Sequence, residues 1–271
     1  GIRMKTFVVD LNKCNGCYAC QLACKDENVG NAWPPYSKPE PNTGQFWLKM
    51  YERTHGQVPK VRIEYRPMLC RHCEYCPLIE AAPEAVYRRE DGLVIIDPEK
   101  AVGRKDLVHL CSYGAVYWNE DLSLAQKCTG CAHLVDEGEL PHCVDACATG
   151  ALRFGDEEEF ADEIAQDTGA FNIADSGSRV HYLNPFGFFI SGEVWDPEAD
   201  LIIEGAKVTL RCPSGETLET ETDGFGDFWF KHLNLGEYVL NIEAPGFKGV
   251  KNKPITLQES LNIGDFPLEK E

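Results

Sequence analysis

Cys14-Asn15-Gly16-Cys17-Tyr18-Ala19-Cys20-Gln21-Leu22-Ala23-Cys24 sets four cysteines at the spacing C-x2-C-x2-C-x3-C. Three closely spaced soft sulfurs can wrap one corner of an iron-sulfur cubane while the loop's N–H groups point at its sulfides. This spacing belongs to runs whose first three thiolates hold one 4Fe-4S cluster and whose fourth reaches a different one. Structural zinc prefers separated C-x2-C pairs around a single ion, so a triple run suits it poorly. Thirteen cysteines in 271 residues are also too few for a disulfide scaffold, and disulfides belong to oxidising compartments.

Working outward, Cys70, Cys73 and Cys76 repeat the triple but lack a fourth cysteine of their own. Cys128, Cys131, Cys143 and Cys147 form a run stretched by a loop holding Asp136, Glu137 and Glu139. Lone Cys111 is explained by an internal repeat. A shift of 87 positions superposes Asp10 on Asp97, Lys13 on Lys100, Gly16 on Gly103 and Cys24 on Cys111. The same shift sets Ala101, Arg104 and Leu107 on Cys14, Cys17 and Cys20, so this fourth run has lost three ligands and kept its last.

In two-cluster ferredoxins each run lends its fourth cysteine to the partner run's cluster. Applied here, that exchange predicts three sets: Cys14, Cys17, Cys20 with Cys147; Cys128, Cys131, Cys143 with Cys24; and Cys70, Cys73, Cys76 with Cys111. Twelve ligands make three complete 4Fe-4S clusters. The proline usual after a run's last cysteine is replaced by Lys25, Ser112 and Ala148. Cys111-Ser-Tyr-Gly-Ala-Val and Cys147-Ala-Thr-Gly-Ala-Leu instead share a glycine where positive φ is cheap. Lys13, Lys25 and Lys127, each beside a ligand cysteine, are expected to stabilise the reduced clusters. His72, His133 and His142 read as packing or as donors to cluster sulfurs. Cys212, in phase with Val208 and Leu210, reads as a small buried apolar group.

The length suggests two units on the usual prior of roughly 100–200 residues per domain. Charge divides them: residues 1–153 carry 18 Lys and Arg against 20 Asp and Glu, residues 154–271 carry 8 against 24. Such acidity disfavours nucleic acid as a partner, and no apolar run is long enough for a membrane span. Gly1–Asp10 has no export pattern, so a cytoplasmic location is expected. Phe7–Asp10 and Leu93–Asp97 read as strands feeding cysteine loops, and the aromatic, proline-rich stretch Trp33–Met68 as a cover for a cluster or a face for a partner, with simple packing as the alternative. Asp156–Asp167 reads as a short amphipathic helix with Phe160 and Ile164 on one face, and Asp167–Ser178 as a linker. Strands follow at Phe188–Trp195, Lys207–Cys212, Asp227–Lys231 and Tyr238–Ile242.

The expected class is α+β: a duplicated bacterial-ferredoxin-like domain over 1–155 with a loop insertion at about 28–68, a helix and linker over 156–187, and an antiparallel β-sandwich over 188–271. The ferredoxin part resembles the iron-sulfur subunit of the dimethyl sulfoxide reductase family of molybdenum enzymes. Tyr65-Arg-Pro-Met-Leu-Cys-Arg-His-Cys, Val86-Tyr-Arg-Arg-Glu-Asp-Gly, Asp97-Pro-Glu-Lys, Tyr117-Trp-Asn-Glu and Gln126-Lys-Cys-Thr-Gly-Cys-Ala-His-Leu are similar to the small subunits of the transhydroxylase and resorcinol hydroxylase group. Thr222-Asp-Gly-Phe-Gly-Asp-Phe-Trp-Phe and Leu235-Gly-Glu-Tyr resemble the transthyretin-like or carboxypeptidase-regulatory sandwich. The resemblance implies a non-catalytic electron-transfer subunit without a substrate site. It further implies a large partner that holds a molybdenum bis-pterin cofactor and acts on polyhydroxylated aromatics. The alternatives are a net-redox molybdenum oxidoreductase, a free-standing polyferredoxin, and an interaction module in which the clusters are structural.

Overall fold

The computed structural model describes Gly1 and residues 3–271. It falls into two compact units, Gly1–Glu52 with Tyr65–Pro185, and Arg53–Glu64 with Phe186–Glu271. Strands outnumber helices, and the helices are short.

In the first unit β1 (Lys5–Asp10) is the middle strand of a three-stranded sheet. Its Phe7, Val8 and Val9 are all buried, as befits an apolar strand covered on both faces. The strand leads through the first cysteine loop into α1 (Ala19–Asn28), where Cys20, Cys24 and Asn28, four residues apart, share the buried face. A hairpin of β2 (Lys49–Gln57) and β3 (Lys60–Met68) occupies the insertion. After the second run come α2 (Pro77–Ala81) and the hairpin β4 (Val86–Arg88) with β5 (Val94–Ile96). Then follow α3 (Leu107–Leu110) and the hairpin β6 (Tyr117–Asn119) with β7 (Leu124–Gln126). The third run lies on α4 (Ala132–Asp136) and α5 (His142–Asp145), and β8 (Leu152–Asp156) returns antiparallel to β1, Phe7 opposite Phe154.

Two local expectations are modified. Asp156–Asp167 is not one helix: a 3-10 turn, Glu157–Phe160, precedes α6 (Ala161–Ile164), because Phe160 stands at φ −109° between them. Asp156 and Glu159 close a capping box at its start. Beyond the Gly- and Ser-rich stretch the chain forms β9 (Val180–Leu183), parallel to β1 with Val9 opposite Tyr182. Tyr182 is fully buried, donates to Pro67 O at 2.6 Å and receives a hydrogen bond from Arg71, so this strand anchors the start of the second run.

In the second unit β10 (Phe188–Asp196) is flanked by β11 (Leu201–Ile202), and a second sheet contains β12 (Lys207–Arg211) and β13 (Thr217–Glu221). β14 (Asp227–Leu233) joins the first sheet, while β15 (Gly236–Glu243) and β16 (Val250–Leu257) join the second. One apolar cluster draws on both, with Val194, Phe228 and Phe266 from the first and Val208, Leu210, Leu240 and Ile242 from the second. The first sheet is mixed, not purely antiparallel as the sequence suggests: β17 (Leu261–Pro267) runs parallel to β10. The chain changes sheets between Leu257 and Leu261, so β17 enters without a hairpin. Cys212 is half-buried at the end of β12 and packs on this core. Arg53–Glu64 is tied in by Lys60 Nζ to Asp227 at 2.5 Å and Gln57 Nε2 to Ser260 O at 3.1 Å.

Leu240 is fully buried. Leu240→Ala is expected to lower the stability of the second unit by about 2–5 kcal/mol through the cavity it leaves, and Leu240→Met by less than about 1.5 kcal/mol. Denaturant unfolding followed by tryptophan fluorescence checks both.

Candidate metal centres

The first C-x2-C step of each run is built on one backbone device. The residue before the second cysteine is left-handed: Gly16 at φ +70°, His72 at +45° and Gly130 at +67°. Gly103 in the degenerate run, at +81°, keeps the same turn although its ligands are gone. This folds the peptide back so that N–H groups face sulfur. His72 N–H donates to Cys70 Sγ at 3.4 Å and Gly130 N–H to Cys128 Sγ at 3.3 Å. Leu152 N–H reaches Cys147 Sγ at 3.4 Å, and Asn28 Nδ2 reaches Cys24 Sγ at 3.8 Å. A β-carbon on Gly16 would strike the Tyr65 ring, and one on Gly130 would strike Leu93 at 2.7 Å. His72 holds the same region with a side chain, at a strain of about 1–2 kcal/mol.

The cysteines meet in groups. Cys14 feels the charges of Cys147 and Cys17, and Cys20 those of Cys14, Cys147 and Cys17. Cys24 feels Cys128 and Cys131, while Cys143 feels Cys131, Cys24 and Cys128. Cys73 feels Cys70, Cys76 and Cys111, and these four line a cavity of about 240 Å³. Two links join the groups: Cys143 feels Cys20 least among its neighbours, whereas Cys128 feels Cys70 even more than Cys131 of its own group. The group at Cys24, Cys128, Cys131 and Cys143 therefore lies between the other two, and all four of its thiols are buried. Cys17 is exposed, and Cys14, Cys147, Cys73, Cys76 and Cys111 are half-buried.

Burial dominates the thiol chemistry. It pushes Cys20, Cys73 and Cys128 up to about 12 and Cys131 to about 11. At Cys147 burial acts in the same direction but is outweighed by donors from Leu152, Thr149 and Ala151, which lower it. Buried thiols of this kind become thiolates when a metal supplies the positive charge and displaces the protons. Among the described residues no three His, Cys, Asp or Glu side chains converge as ligands of one ion. A cubane, gripped at four separate iron corners, does not require such convergence. Grouped soft donors, N–H groups aimed at sulfur and a cavity walled by four cysteines suit 4Fe-4S clusters.

The degenerate run is plugged. Ala101 and Leu107 are fully buried among Leu78, Ala82, Val94, Ile96, Val116 and Leu124. Arg104 turns to Glu84 at 2.6 Å and Asp106 at 2.9 Å.

The surrounding polar groups differ from one another in ways the sequence does not reveal. Lys13 is exposed, 4.0 Å from Asp10; Lys25 pairs at 2.8 Å with buried Glu40; Lys127 is buried and meets carbonyl oxygens. His133 and His142 both bind Glu27, at 2.7 and 2.9 Å, and Trp33 stacks on His133 at 4.2 Å. Trp47 packs in the core that contains Cys20 and Cys24, and Tyr65 covers Gly16. Glu27 escapes sequence reasoning, since nothing local marks an acid whose partners lie over a hundred residues away, and so do Asn28 and Glu40, whose partners Cys24 and Lys25 are set by the turn of α1 and the path of the loop after it. His72 is held well below the usual histidine range by burial and by the charges of Lys127, Arg88 and Arg179, so its ring is neutral. Gly130→Ala is expected to destabilise the fold by about 1–2 kcal/mol from backbone strain alone. Thermal unfolding together with the iron content of the purified chain measures it.

The model of a 4Fe-4S dicluster domain matches residues 61–157, and that of a carboxypeptidase regulatory-like domain matches residues 190–268. The pyrogallol hydroxytransferase small subunit of Pelobacter acidigallici is 35% identical over 96% of this chain and 98% of its own length. The tetrathionate reductase of Salmonella typhimurium has a subunit that is 33% identical over 58% of this chain and 60% of its own length. The anaerobic dimethyl sulfoxide reductase of Escherichia coli has one that is 31% identical over 66% of this chain and 84% of its own length. On these similarities the chain belongs to the iron-sulfur electron-transfer subunits of the dimethyl sulfoxide reductase family of molybdenum enzymes, with the pyrogallol hydroxytransferase small subunit among its relatives.

Proposed function

We propose that this chain carries three 4Fe-4S clusters, on the three cysteine sets named above, for a large molybdopterin subunit that acts on a polyhydroxylated benzene. The observation that carries this reading is the extent of similarity. The pyrogallol hydroxytransferase relative matches 96% of the chain, C-terminal domain included, whereas the reductase subunits match 58% and 66%. In this reading residues 1–155, apart from Arg53–Glu64, are a duplicated ferredoxin-like domain, 156–187 a segment that returns β9 to its sheet, and 188–271 a β-sandwich of the carboxypeptidase-regulatory kind. The substrate and the molybdenum bis-pterin belong to the partner. When bound, the clusters supply one-electron carriers. The chain's residues exclude water from the middle set, lend N–H groups to the sulfurs and leave Cys17 exposed.

Moving a hydroxyl group from one phenol to another involves no net oxidation, so the relay serves to set the oxidation state of the molybdenum. A second reading, electron exit from a net hydroxylase or reductase, is supported by the likeness to tetrathionate and dimethyl sulfoxide reductase subunits.

About twelve iron atoms and as much acid-labile sulfide per chain are expected, four for each 4Fe-4S cluster, with Cys73→Ser losing about a third. Anaerobic incubation of the purified complex with pyrogallol and a trace of tetrahydroxybenzene, without an electron acceptor, is expected to yield phloroglucinol. Turnover only after an acceptor is added establishes the second reading, and an iron content near eight refutes the three-cluster assignment.

A further inference from the structure

Between the middle cysteine set and the Cys70 set lies a polar connection organised by one residue of β5. Across the β4–β5 hairpin Arg89 N–H bonds Leu93 O at 2.8 Å, so the next residue, Val94, turns its own N–H and C=O away from β4. Both groups are taken up. Val94 N–H donates to His72 Nδ1 at 3.0 Å, and Val94 O accepts from Lys127 Nζ. With Nδ1 acting as an acceptor, the hydrogen of the neutral ring sits on Nε2, which lies 3.8 Å from Cys128 Sγ. His72 also donates its backbone N–H to Cys70 Sγ at 3.4 Å. One residue thus donates to sulfurs of two different sets.

Two further observations mark this pair. His72 stands at φ +45°, where the other three loops have Gly16, Gly103 and Gly130. A side chain kept in a position that favours glycine points to a task for that side chain. Lys127 is only 4% exposed, and its ammonium meets the carbonyls of Val94 and Cys128, the latter at 3.0 Å. Among the described residues it has no carboxylate partner, unlike Lys25 on Glu40 and Lys13 on Asp10. A buried cation needs a nearby anion. Lys127 lines the cavity of Cys70, Cys73, Cys76 and Cys111, and its charge also acts on Cys128.

We propose that His72 and Lys127, both anchored on Val94, form a bridge that stabilises the reduced state of the two clusters on either side, raising their potentials, while the cluster at Cys14, Cys17, Cys20 and Cys147 is left outside its reach. The anionic thiolate-bound clusters are the counter-charge of Lys127. This inference rests on the three-cluster reading.

The test is a potentiometric titration of the intact complex, followed by electron paramagnetic resonance and compared among the parent, His72→Gly, Lys127→Gln and Lys13→Gln. Glycine is the residue that the other loops use, so His72→Gly removes the donor while relieving the backbone. In His72→Gly and in Lys127→Gln two of the three reduced-cluster signals are expected to move to lower potential while the third stays. At fixed potential each moved signal should show a reduced-to-oxidised ratio roughly tenfold smaller, equivalent to about 59 mV for one electron. Lys13→Gln is expected to leave those two signals in place. Three intact signals at parental potentials in Lys127→Gln overturn the proposal, whatever becomes of the His72 variant. Fewer than three signals in the parent overturn the three-cluster reading itself and are distinguishable for that reason.

Discussion

A sulfur atom that must carry negative charge inside a protein needs either a cation or a ring of hydrogen-bond donors, and the cysteine loops of the first unit turn N–H groups toward Cys70, Cys128 and Cys147. Burial, joined by the charges of neighbouring cysteines, pushes the most enclosed thiols well above the usual thiol range. Cluster binding and the native packing of the loops are therefore linked, because iron supplies the charge that makes a buried thiolate tolerable. The α1 helix meets the need geometrically. Cys20 and Cys24 stand four apart on one face, so one helix serves two neighbouring sets.

The run at Ala101, Arg104 and Leu107 keeps the turn of a cysteine loop without its sulfurs. Gly103 keeps the left-handed turn of Gly16, yet Ala101 and Leu107 fill the space with carbon and Arg104 leaves for Glu84 and Asp106. Empty volume in a core is destabilising, so lost ligands must be replaced by packing. The apolar cluster beneath α2 and α3 is that replacement. The same principle governs the second unit, where two sheets bury one apolar layer in a segment whose acidic residues dominate the chain's charge.

Much of this is legible in the order of residues alone. The cysteine runs are local, so their spacing announces a loop that can hold a cluster, and the offset of 87 residues accounts for Cys111. Apolar and β-branched runs mark β1, β5 and four strands of the second unit, β10, β12, β14 and β15, but not β11, β13, β16 or β17. Other elements are hidden. Four residues, Val180–Leu183, carry too little periodicity to reveal a strand whose partner lies over 170 residues away. The parallel entry of β17 and the split at Phe160 likewise depend on where the chain is led, not on the residues within the element.

The three lysines draw the boundary most sharply. In the sequence Lys13, Lys25 and Lys127 are alike, each next to a ligand cysteine. In the fold one is solvated beside Asp10, one is neutralised by Glu40, and one is enclosed with no carboxylate partner among the described residues. The sequence by itself determined the donor chemistry, the number of sulfurs and their division into runs, because these follow from residue type and from spacing within short loops. Only the tertiary structure decided which set is enclosed, which charges are cancelled and which imidazole nitrogen carries the hydrogen. Solvent exclusion and ion pairing arise from contacts between segments that the covalent chain does not hold together.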